Sequence, residues 1–262
     1  MARAERLNAI LELLAISGQV DIDEITTALD ISAATARRDL DSLAEQQLLV
    51  RTHGGAVGSS VAYDLRSRFR GDAGSEAKQA IVRAASSMVE KGMIVGLTGG
   101  TTCTLLSGVL GARPDLMEPS PNPNLTIVTN AINIASQLVV RPQIKIVVTG
   151  GVVQSRSYEV VGPFSSLVLN QISMDIAFIG VNGIDPVFGA TVNDEDEASI
   201  NSLMASRATR AVVVADSSKV GVHAFASMGG ADLFSALITD SEITEAQKAA
   251  FLDKGIEVIV AR

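Results

Sequence analysis

Apolar residues recur at helical spacing near the start of the chain. Leu7, Ile10, Leu11 and Leu14 are three or four residues apart, which predicts a helix that ends before Gly18.

Two further helices follow, joined by a short turn. Asp21 is a favourable N-cap for a helix that runs to Leu29, and acidic residues in its first turn suit the helix dipole. Ser32 then caps a helix that runs to about Glu45. The apolar side of this third helix is formed by Ala36, Leu40 and Leu43. The order predicts a helix-turn-helix.

A short hairpin is predicted after the third helix. Residues 48–51 favour a strand, residues 53–55 contain the two glycines of a turn, and residues 56–57 favour the returning strand. A helix-turn-helix followed by such a wing is a DNA-binding arrangement.

From residue 76 the pattern changes to helices that alternate with short apolar, β-rich runs. These runs are residues 94–97, 125–128, 144–148, 176–179, 211–214, 236–238 and 257–260. Such alternation predicts a largely parallel sheet with helices on its faces. Residues 111–124, with four prolines, predict a surface loop. The fold class is α/β, with a winged helix-turn-helix over 1–57, a linker over 58–75 and a larger α/β domain over 76–262.

Composition indicates a cytoplasmic protein. The chain has 262 residues, 47% of them hydrophobic, which suffices for a core in each domain. Cys103 has no second cysteine to pair with, and the chain shows neither a signal segment nor an apolar run of the length, about 18 residues, that spans a bilayer.

The charge balance bears on how the chain binds DNA. The net charge is −8, and residues 1–60 hold five arginines against nine carboxylates, which gives −4. DNA-binding domains are often basic, so a single module neutralises few phosphates. We therefore expect a homo-oligomer, a dimer or a tetramer, that adds the contacts of several modules.

The third helix carries the candidate DNA-reading surface. Counting 100° per residue from Ala36 places Ala34 and Arg38 opposite the apolar side. Small residues let a helix enter the major groove, and arginines reach guanine edges or phosphates. A solvated helix face is the alternative interpretation. The candidate DNA-binding residues are Ser32, Ala33, Ala34, Thr35, Arg37, Arg38, Arg51 and His53.

A glycine-rich segment, Thr98-Gly99-Gly100-Thr101-Thr102, follows a predicted strand and precedes a predicted helix. Glycines permit close approach, hydroxyls donate hydrogen bonds and a helix N-terminus attracts anions, so phosphate is the natural ligand. A simple tight turn explains the same residues. The segment lacks the lysine of a Walker loop.

Residues 32–40 and 51–57 resemble the signature of the DeoR (deoxyribose-operon repressor) family. That family usually has a bulky aliphatic residue where Ala36 stands and a glycine where Gln47 stands. The resemblance extends through residues 76–262, over segments 128–130, 149–151, 160–163, 180–185 and 215–219.

The resemblance implies a fold similar to ribose-5-phosphate isomerase, with a sugar-phosphate pocket at the strand ends. Lys78, Gly100, Thr101, Thr102 and Lys219 would surround the phosphate. Asn182, Asp185 and Glu197 would face the sugar. In the alternative interpretation, Lys78 and Lys219 are ordinary surface cations and Glu197 is part of a solvated acidic turn. The implied effector-binding residues are Lys78, Thr98, Gly99, Gly100, Thr101, Thr102, Asn130, Gly151, Asn182, Asp185, Glu197 and Lys219.

Two departures from the family pattern argue against catalysis. Thr98-Gly99 stand where the family usually has Asp-Ser, and Asn182 stands where it usually has Asp. Both changes remove carboxylates that an isomerase could use for proton transfer. We expect no catalytic residue, no cofactor and no metal, because His53 and His223 lie in no ligand-spaced cluster and Cys103 suits a small buried position.

These features predict a DNA-binding transcriptional regulator, a repressor of a carbohydrate operon controlled by a phosphorylated sugar. Its partners would be a double-stranded DNA operator and that sugar phosphate. Two alternatives stay open: a sugar-phosphate isomerase that carries a DNA-binding module, and a DNA-binding oligomer that has lost sensing.

Overall fold

The computed structural model describes residues 6, 7, 9, 10, 13, 14, 19–45, 49–58 and 76–262. The chain divides into two compact units, residues 1–70 and 71–262. The predictions for Gly18, Gln47, Leu48 and most of the linker lie outside the described residues.

The first unit contains the predicted helix-turn-helix and wing. Its elements are α1 (Ile22–Leu29), α2 (Ala33–Glu45), β1 (Gln19–Asp21), β2 (Leu49–Arg51) and β3 (Gly55–Gly58), and the described residues between 6 and 14 are also helical. Asp21 and Glu24 form a capping box at the start of α1, and Asp30 ends that helix in the left-handed conformation at φ 51°. The capping box and the left-handed Asp30 therefore define the start and the end of α1.

The wing has a third strand that the sequence did not predict. β1 pairs antiparallel with β3, which pairs antiparallel with β2. A Cβ at Gly55 would lie 2.0 Å from the carbonyl oxygen of Val20, so only glycine permits this approach. β1 has three residues, too few to show an alternating pattern.

A small apolar core holds this unit together. Ile10, Ile25, Ala36 and Leu40 are each 0% exposed. Among its other buried members are Leu14, Val20, Ile22, Leu43, Leu49 and Ala56.

The second unit has a seven-stranded sheet flanked by helices. Its strands are β4 (Ile94–Leu97), β5 (Leu125–Thr129), β6 (Ile144–Val148), β7 (Val152–Val153), β8 (Val160–Val161), β9 (Met174–Gly180), β10 (Gly183–Asp185), β11 (Gly189–Val192), β12 (Ala208–Val214), β13 (Ala226–Gly229), β14 (Ala236–Thr239) and β15 (Glu257–Val260). Its helices are α3 (Glu76–Ser87), α4 (Thr101–Leu110), α5 (Pro114–Met117), α6 (Ile132–Leu138), α7 (Pro163–Leu169), α8 (Glu195–Ser206) and α9 (Glu245–Leu252). Two short 3-10 turns cover Ser217–Lys219 and Ala231–Leu233.

The large sheet runs in the order β15-β14-β12-β9-β4-β5-β6, and all of its pairings are parallel. Each predicted apolar run forms one of these strands, which confirms the α/β class. The runs at β9 and β12 begin earlier than predicted, at Met174 and Ala208. The predicted loop over residues 111–124 contains the short helix α5, whose Leu116 is fully buried.

The strand order fixes where a ligand site can form. β4 is central, and the chain adds β5 and β6 on one side before it crosses to β9 on the other. The loops that follow β4 and β9 therefore diverge, which opens a crevice at the carboxyl ends of the two strands. Open α/β sheets bind ligands at such a crevice.

Shorter strands lie along this edge of the sheet. β7 and β8 form a hairpin, and β10, β11 and β13 form a second small sheet. In the part of the chain that the structure describes, no helix has the length and apolar character needed to cross a membrane.

Candidate functional site

The outer face of α2 has the character predicted for a DNA-reading helix. Ser32, Ala34, Arg37 and Arg38 are exposed, whereas Ala36 is completely buried. Ala33 and Thr35 are half-buried. The angular count from Ala36 therefore places each side chain correctly.

The two adjacent arginines carry the positive charge of this face. Nε of Arg38 donates to the carbonyl oxygen of Ala34 at 3.2 Å, which lays the side chain along its own helix. Within the described residues, neither Arg37 nor Arg38 forms an ion pair with a carboxylate. Both guanidinium groups can therefore meet phosphates or base edges.

Hydroxyl groups mark the start of the same helix. The hydroxyl oxygen of Ser32 accepts from the N–H of Thr35 at 3.2 Å and lies 2.9 Å from the Thr35 hydroxyl. Ser32 thus satisfies one backbone donor of the first turn.

The remaining predicted DNA residues differ from the helix arginines. Arg51 pairs with Asp41 of α2 at 2.8 Å and also donates to the carbonyl oxygen of Gly55, so its guanidinium already has partners within the unit. His53 is exposed at the tip of the wing.

An ion pair connects the buried side of α2 to the first helical stretch. Arg6, in the first helical stretch, donates through two nitrogens to the carboxylate of Asp39, which is 2% exposed. The sequence analysis did not single out this pair, because its members are 33 residues apart. It joins the first helical stretch to the DNA-reading helix.

In the second unit, the glycine-rich loop lies at the crevice between β4 and β9. Gly100 is exposed at φ 95°, a conformation that favours glycine, and Thr101 begins α4. Thr101 is half-buried and Thr102 is 8% exposed. The first turn of α4 therefore presents backbone N–H groups next to the Thr101 hydroxyl, as anion binding requires.

Thr98 and Gly99 lie deeper than the rest of the loop. The Thr98 side chain is fully buried, and its hydroxyl accepts from the N–H of Gly180 at 2.9 Å. This bond ties the end of β4 to the end of β9. Thr98 thus links the two strands at the base of the crevice, and its side chain does not face solvent.

A buried carboxylate that the sequence analysis missed lies against Gly99. A Cβ at Gly99 would be 2.3 Å from Oε1 of Glu159, and Glu159 is 4% exposed. Oε2 of Glu159 accepts from Asn130 at 2.9 Å and from Asn201 at 3.0 Å. Burial and the charge of Glu197 raise the pKa of Glu159 to about 7, although these amides and the Gly99 N–H favour its ionised form.

Asp185, one of the residues expected to face the sugar, already has hydrogen-bond partners within the protein. Oδ1 of Asp185 accepts from the backbone N–H groups of Val187 and Phe188, and Oδ2 lies 3.4 Å from Nε2 of His223. Asp185 is partly buried, yet the two backbone donors hold its pKa below the ordinary range.

Asn182 and Glu197 also have partners in this part of the fold. The side-chain oxygen of Asn182 accepts from the N–H of Asn193 at 3.1 Å. Glu197 lies in the first turn of α8, which Asp194 caps. Partial burial and the nearby Asp194 carboxylate raise the pKa of Glu197, against a hydrogen bond from Ser157.

The two predicted lysines lie in different surroundings. Lys219 is half-buried in the turn after β12, where Val220 bridges to Ile184 of β10. Lys219 is thereby brought beside the strand that carries Asp185. Lys78 lies in α3 and is 3% exposed, so it is not the ordinary surface cation of the alternative interpretation.

Several buried polar atoms near the crevice lack a hydrogen-bond partner. Within the described residues these include Oδ1 of Asn130, Oδ1 of Asn133 and the Thr149 hydroxyl. They lie at or just after the carboxyl ends of β5 and β6. Gly151 follows at φ 127°, where a Cβ would meet the Val161 carbonyl oxygen at 2.4 Å. Unpaired buried acceptors favour occupation by a ligand or water.

A separate cavity of about 650 Å³ opens at the carboxyl ends of β12, β14 and β15. None of the predicted effector residues lines it. Its charged lining residues are Glu76, Arg83, Asp216, Asp240, Glu242 and Arg262. With four carboxylates against two arginines, it is a poor match for an anion.

Neither a reactive thiol nor a metal site is found among the described residues. Cys103 is fully buried, and burial raises the pKa of its thiol to about 12, so it is a packing residue as predicted. Over the described ranges, no three His, Cys, Asp or Glu side chains are arranged to hold a metal ion.

Two family comparisons match the two units. The DeoR-like helix-turn-helix domain family matches residues 6–60, and the DeoR C terminal sensor domain family matches residues 74–241. The chain belongs to the DeoR family. It is a transcriptional regulator with an N-terminal DNA-binding domain and a C-terminal sensor domain.

Relatives of this DeoR regulator are named as repressors. The chain is 30% identical over 241 residues to the glycerol-3-phosphate regulon repressor of Escherichia coli, covering 92% of each chain. It is 31% identical over 261 residues to the transcriptional repressor GlcR of Bacillus subtilis, covering 99% of this chain and 97% of that protein. Among solved structures, a D-ribose-5-phosphate isomerase in complex with phospho-erythronic acid is similar over 55% of this chain and 52% of that one, with 19% identity and a TM-score of 0.41.

Proposed function

We propose that this DeoR regulator represses transcription by binding an operator through α2, and that a phosphorylated sugar releases it. Two features carry the proposal together. One is an exposed basic face on α2 whose arginines have no carboxylate partner among the described residues, and the other is a sensor domain whose glycine-rich loop begins a helix at the switch point of the sheet. The names of the relatives, repressors in several cases, support the sign of regulation. Operator DNA lies in the cytoplasm, where the protein would work.

The effector would place its phosphate on the loop from Gly100 to Thr102. Backbone N–H groups at the start of α4 and the Thr101 hydroxyl supply donors for the anion. Lys219 and Lys78 supply positive charge on the same edge of the sheet. The name of the Escherichia coli relative contains a phosphorylated three-carbon compound, which supports a small phosphorylated ligand here.

The sugar end of the effector would lie towards β10. Asn182 follows β9, Asp185 ends β10 and Glu197 lies in the first turn of α8. In this proposal they lie across the crevice from the loop. The unpaired Oδ1 atoms of Asn130 and Asn133 are further acceptors for ligand hydroxyls or bound water.

We infer that the domain binds its ligand without turning it over. The carboxylate of Asp185 is held by two backbone N–H groups, and the carboxylate of Glu159 is 4% exposed beneath the loop. Neither is placed to remove a proton from a ligand carbon. Incubation with pentose phosphates tests this directly, and isomerised product would favour the enzyme hypothesis.

The protein would act as a symmetric homo-oligomer held by the sensor domain. Phe164 and Leu167 are each 65% exposed on α7, and Val152 and Val153 of β7 are 64% and 48% exposed. Apolar side chains exposed in this way favour burial against another copy. Light scattering at micromolar concentration checks it, because a monomer that binds operator one to one excludes the arrangement.

Genome-wide DNA footprinting followed by calorimetry tests the proposal as a whole. Footprinting names the bound operon, and calorimetry against a panel of sugar phosphates and the matching unphosphorylated sugars identifies the effector. Binding of a phosphorylated compound alone supports the proposal. If none binds at millimolar concentration, the sensor has lost its ligand and the protein is a constitutive DNA-binding oligomer.

A further inference from the structure

The Glu159 side chain packs directly against the first glycine of the phosphate loop. Its Cγ would be 2.5 Å, its Cδ 2.7 Å and its Oε1 2.3 Å from a Cβ at Gly99, so the side chain lies flat on that glycine. The nearby backbone N–H of Gly99 favours the ionised form of this carboxylate and so lowers its pKa. The protein thus supplies an internal carboxylate at the first residue of the glycine pair.

Two side-chain amides hold Glu159 in this position. Asn130 and Asn201 donate to Oε2 at 2.9 and 3.0 Å, and Asn130 also donates to the side-chain oxygen of Asn201 at 2.9 Å. These residues come from three separate parts of the chain: the end of β5, the start of β8 and the middle of α8. The other side-chain atom of Asn130, Oδ1, is buried without a partner in the described structure.

Two titratable groups from other elements interact with Glu159. Glu197 of α8 is a second carboxylate close enough to raise its pKa, and the buried thiol of Cys103 faces it from α4. Glu159 therefore has a pKa of about 7, where a small change in local charge alters its protonation.

We propose that Glu159 is a proton-linked gate of the sensor, so that an anionic effector binds the Gly100–Thr102 loop with uptake of one proton by the Glu159 carboxylate. This proposal rests on the proposed function of that loop. The proton comes from solvent and is held on a carboxylate oxygen, and no covalent bond to the effector forms or breaks. Proton uptake removes the repulsion between the internal carboxylate and the bound anion.

Linkage gives the expected pH dependence. Above about pH 7 free Glu159 is ionised, so binding requires proton uptake and the affinity for an anion of constant charge falls about tenfold per pH unit. At lower pH the group is already protonated and the affinity levels off. The regulator would then respond to effector more strongly in a more acidic cell.

The experiment uses inorganic sulfate as the probe, because sulfate keeps its double charge between about pH 6 and 9 and its own titration does not enter. Calorimetry of the full chain in buffers of different ionisation enthalpy measures proton uptake directly, and equilibrium dialysis gives the affinity at each pH. Wild-type protein should take up close to one proton per sulfate at about pH 8. This measurement needs no variant.

Glu159→Gln should bind sulfate with less than about twofold change in affinity between pH 7 and 8. The matched control is Glu195→Gln, which removes the same charge from an exposed residue in the first turn of α8 and should keep the wild-type slope. Sulfate binding by wild type without proton uptake overturns the gate and leaves the phosphate loop intact. Absence of sulfate binding by both wild type and Thr101→Val overturns the loop assignment and the gate together.

Discussion

The helix α2 and the crevice of the sensor domain are built from contacts of different range in sequence. On α2, Ser32 bonds to Thr35 and Arg38 to Ala34, within four residues of sequence. At the crevice, Asn130 bonds to residues 29 and 71 positions away, and the hydroxyl of Thr98 bonds to Gly180, 82 positions away. The first surface depends on local helix geometry, whereas the second exists only when the whole sheet is assembled.

The charged side chains of α2 and of the crevice also differ in their surroundings. Arg37 and Arg38 project towards solvent without a carboxylate partner among the described residues. Glu159 and Asn130 are buried and bound to one another. Substitutions on the exposed face of α2 should therefore change binding without changing the fold, and substitutions of the buried polar groups at the crevice should change both.

The largest effect is expected for Arg38→Ala. A specific base contact contributes about 1 to 3 kcal/mol, and two copies in a dimer double it, so operator affinity should fall roughly 30-fold to 25,000-fold. The unfolding free energy should stay the same, since the side chain is exposed. Gel-shift titration at fixed salt measures the loss, with Arg141→Ala, an exposed arginine of the sensor domain, as the control. Equal affinities of the two variants would remove α2 from the interface.

Leu40→Ala tests the opposite side of the same helix. Leu40 is fully buried, so the truncation should lower the unfolding free energy of the N-terminal domain by about 2 to 5 kcal/mol. Urea unfolding followed by circular dichroism measures it, with Arg38→Ala as the matched exposed substitution. A stability loss of similar size in both variants would mean that α2 does not have one buried and one exposed side.

The stability of the sensor should depend on pH through Glu159. Its pKa in the folded protein is raised to about 7 from 4.5, so its contribution is complete below pH 4.5 and is lost as pH rises through 7. The loss should be at most about 3 kcal/mol. Urea unfolding of wild type and Glu159→Gln at acidic and alkaline pH isolates the effect, because the depressed pKa values of Asp185 and Asp240 act equally in both proteins. A constant stability difference across pH would contradict it.

Thr101→Val should weaken effector binding by about 1.5 to 3 kcal/mol, or roughly 10-fold to 150-fold, because it removes a hydroxyl donor to a charged phosphate. Operator affinity without effector should be unchanged, since the residue lies in the sensor domain. Calorimetry with the sugar phosphate identified by the panel measures the loss. Thr209→Val, at an exposed site on β12, is the control. A similar loss of affinity in the control would show that the Thr101 hydroxyl has no special role.

The features of this protein that could be predicted from its sequence are those that depend on residues close together in the chain. The 3.6-residue period identified the buried Ala36 and Leu40, and apolar runs identified the strands of the large sheet. Those signals are local. The strand β1 was missed because it has three residues and pairs with β3 more than thirty positions away.

The candidate effector site was predicted only in part. The loop after β4 could be recognised, because its glycines and threonines are consecutive in sequence. Glu159 could not, since nothing near it shows that Gly99 and Asn201 will surround it. The one signal was a carboxylate immediately before the apolar pair Val160-Val161, where a buried strand makes an acidic neighbour unusual.

The central claim is that a phosphorylated sugar, bound at the sensor, controls operator affinity. The most direct measurement is an operator titration of the full chain with and without saturating amounts of each member of a sugar-phosphate panel. One phosphorylated compound should weaken operator binding about 5-fold to 150-fold, the range of typical coupling energies, and its unphosphorylated form should have no effect. Operator affinity that stays the same with every phosphorylated compound, each tested at saturation, would contradict the account.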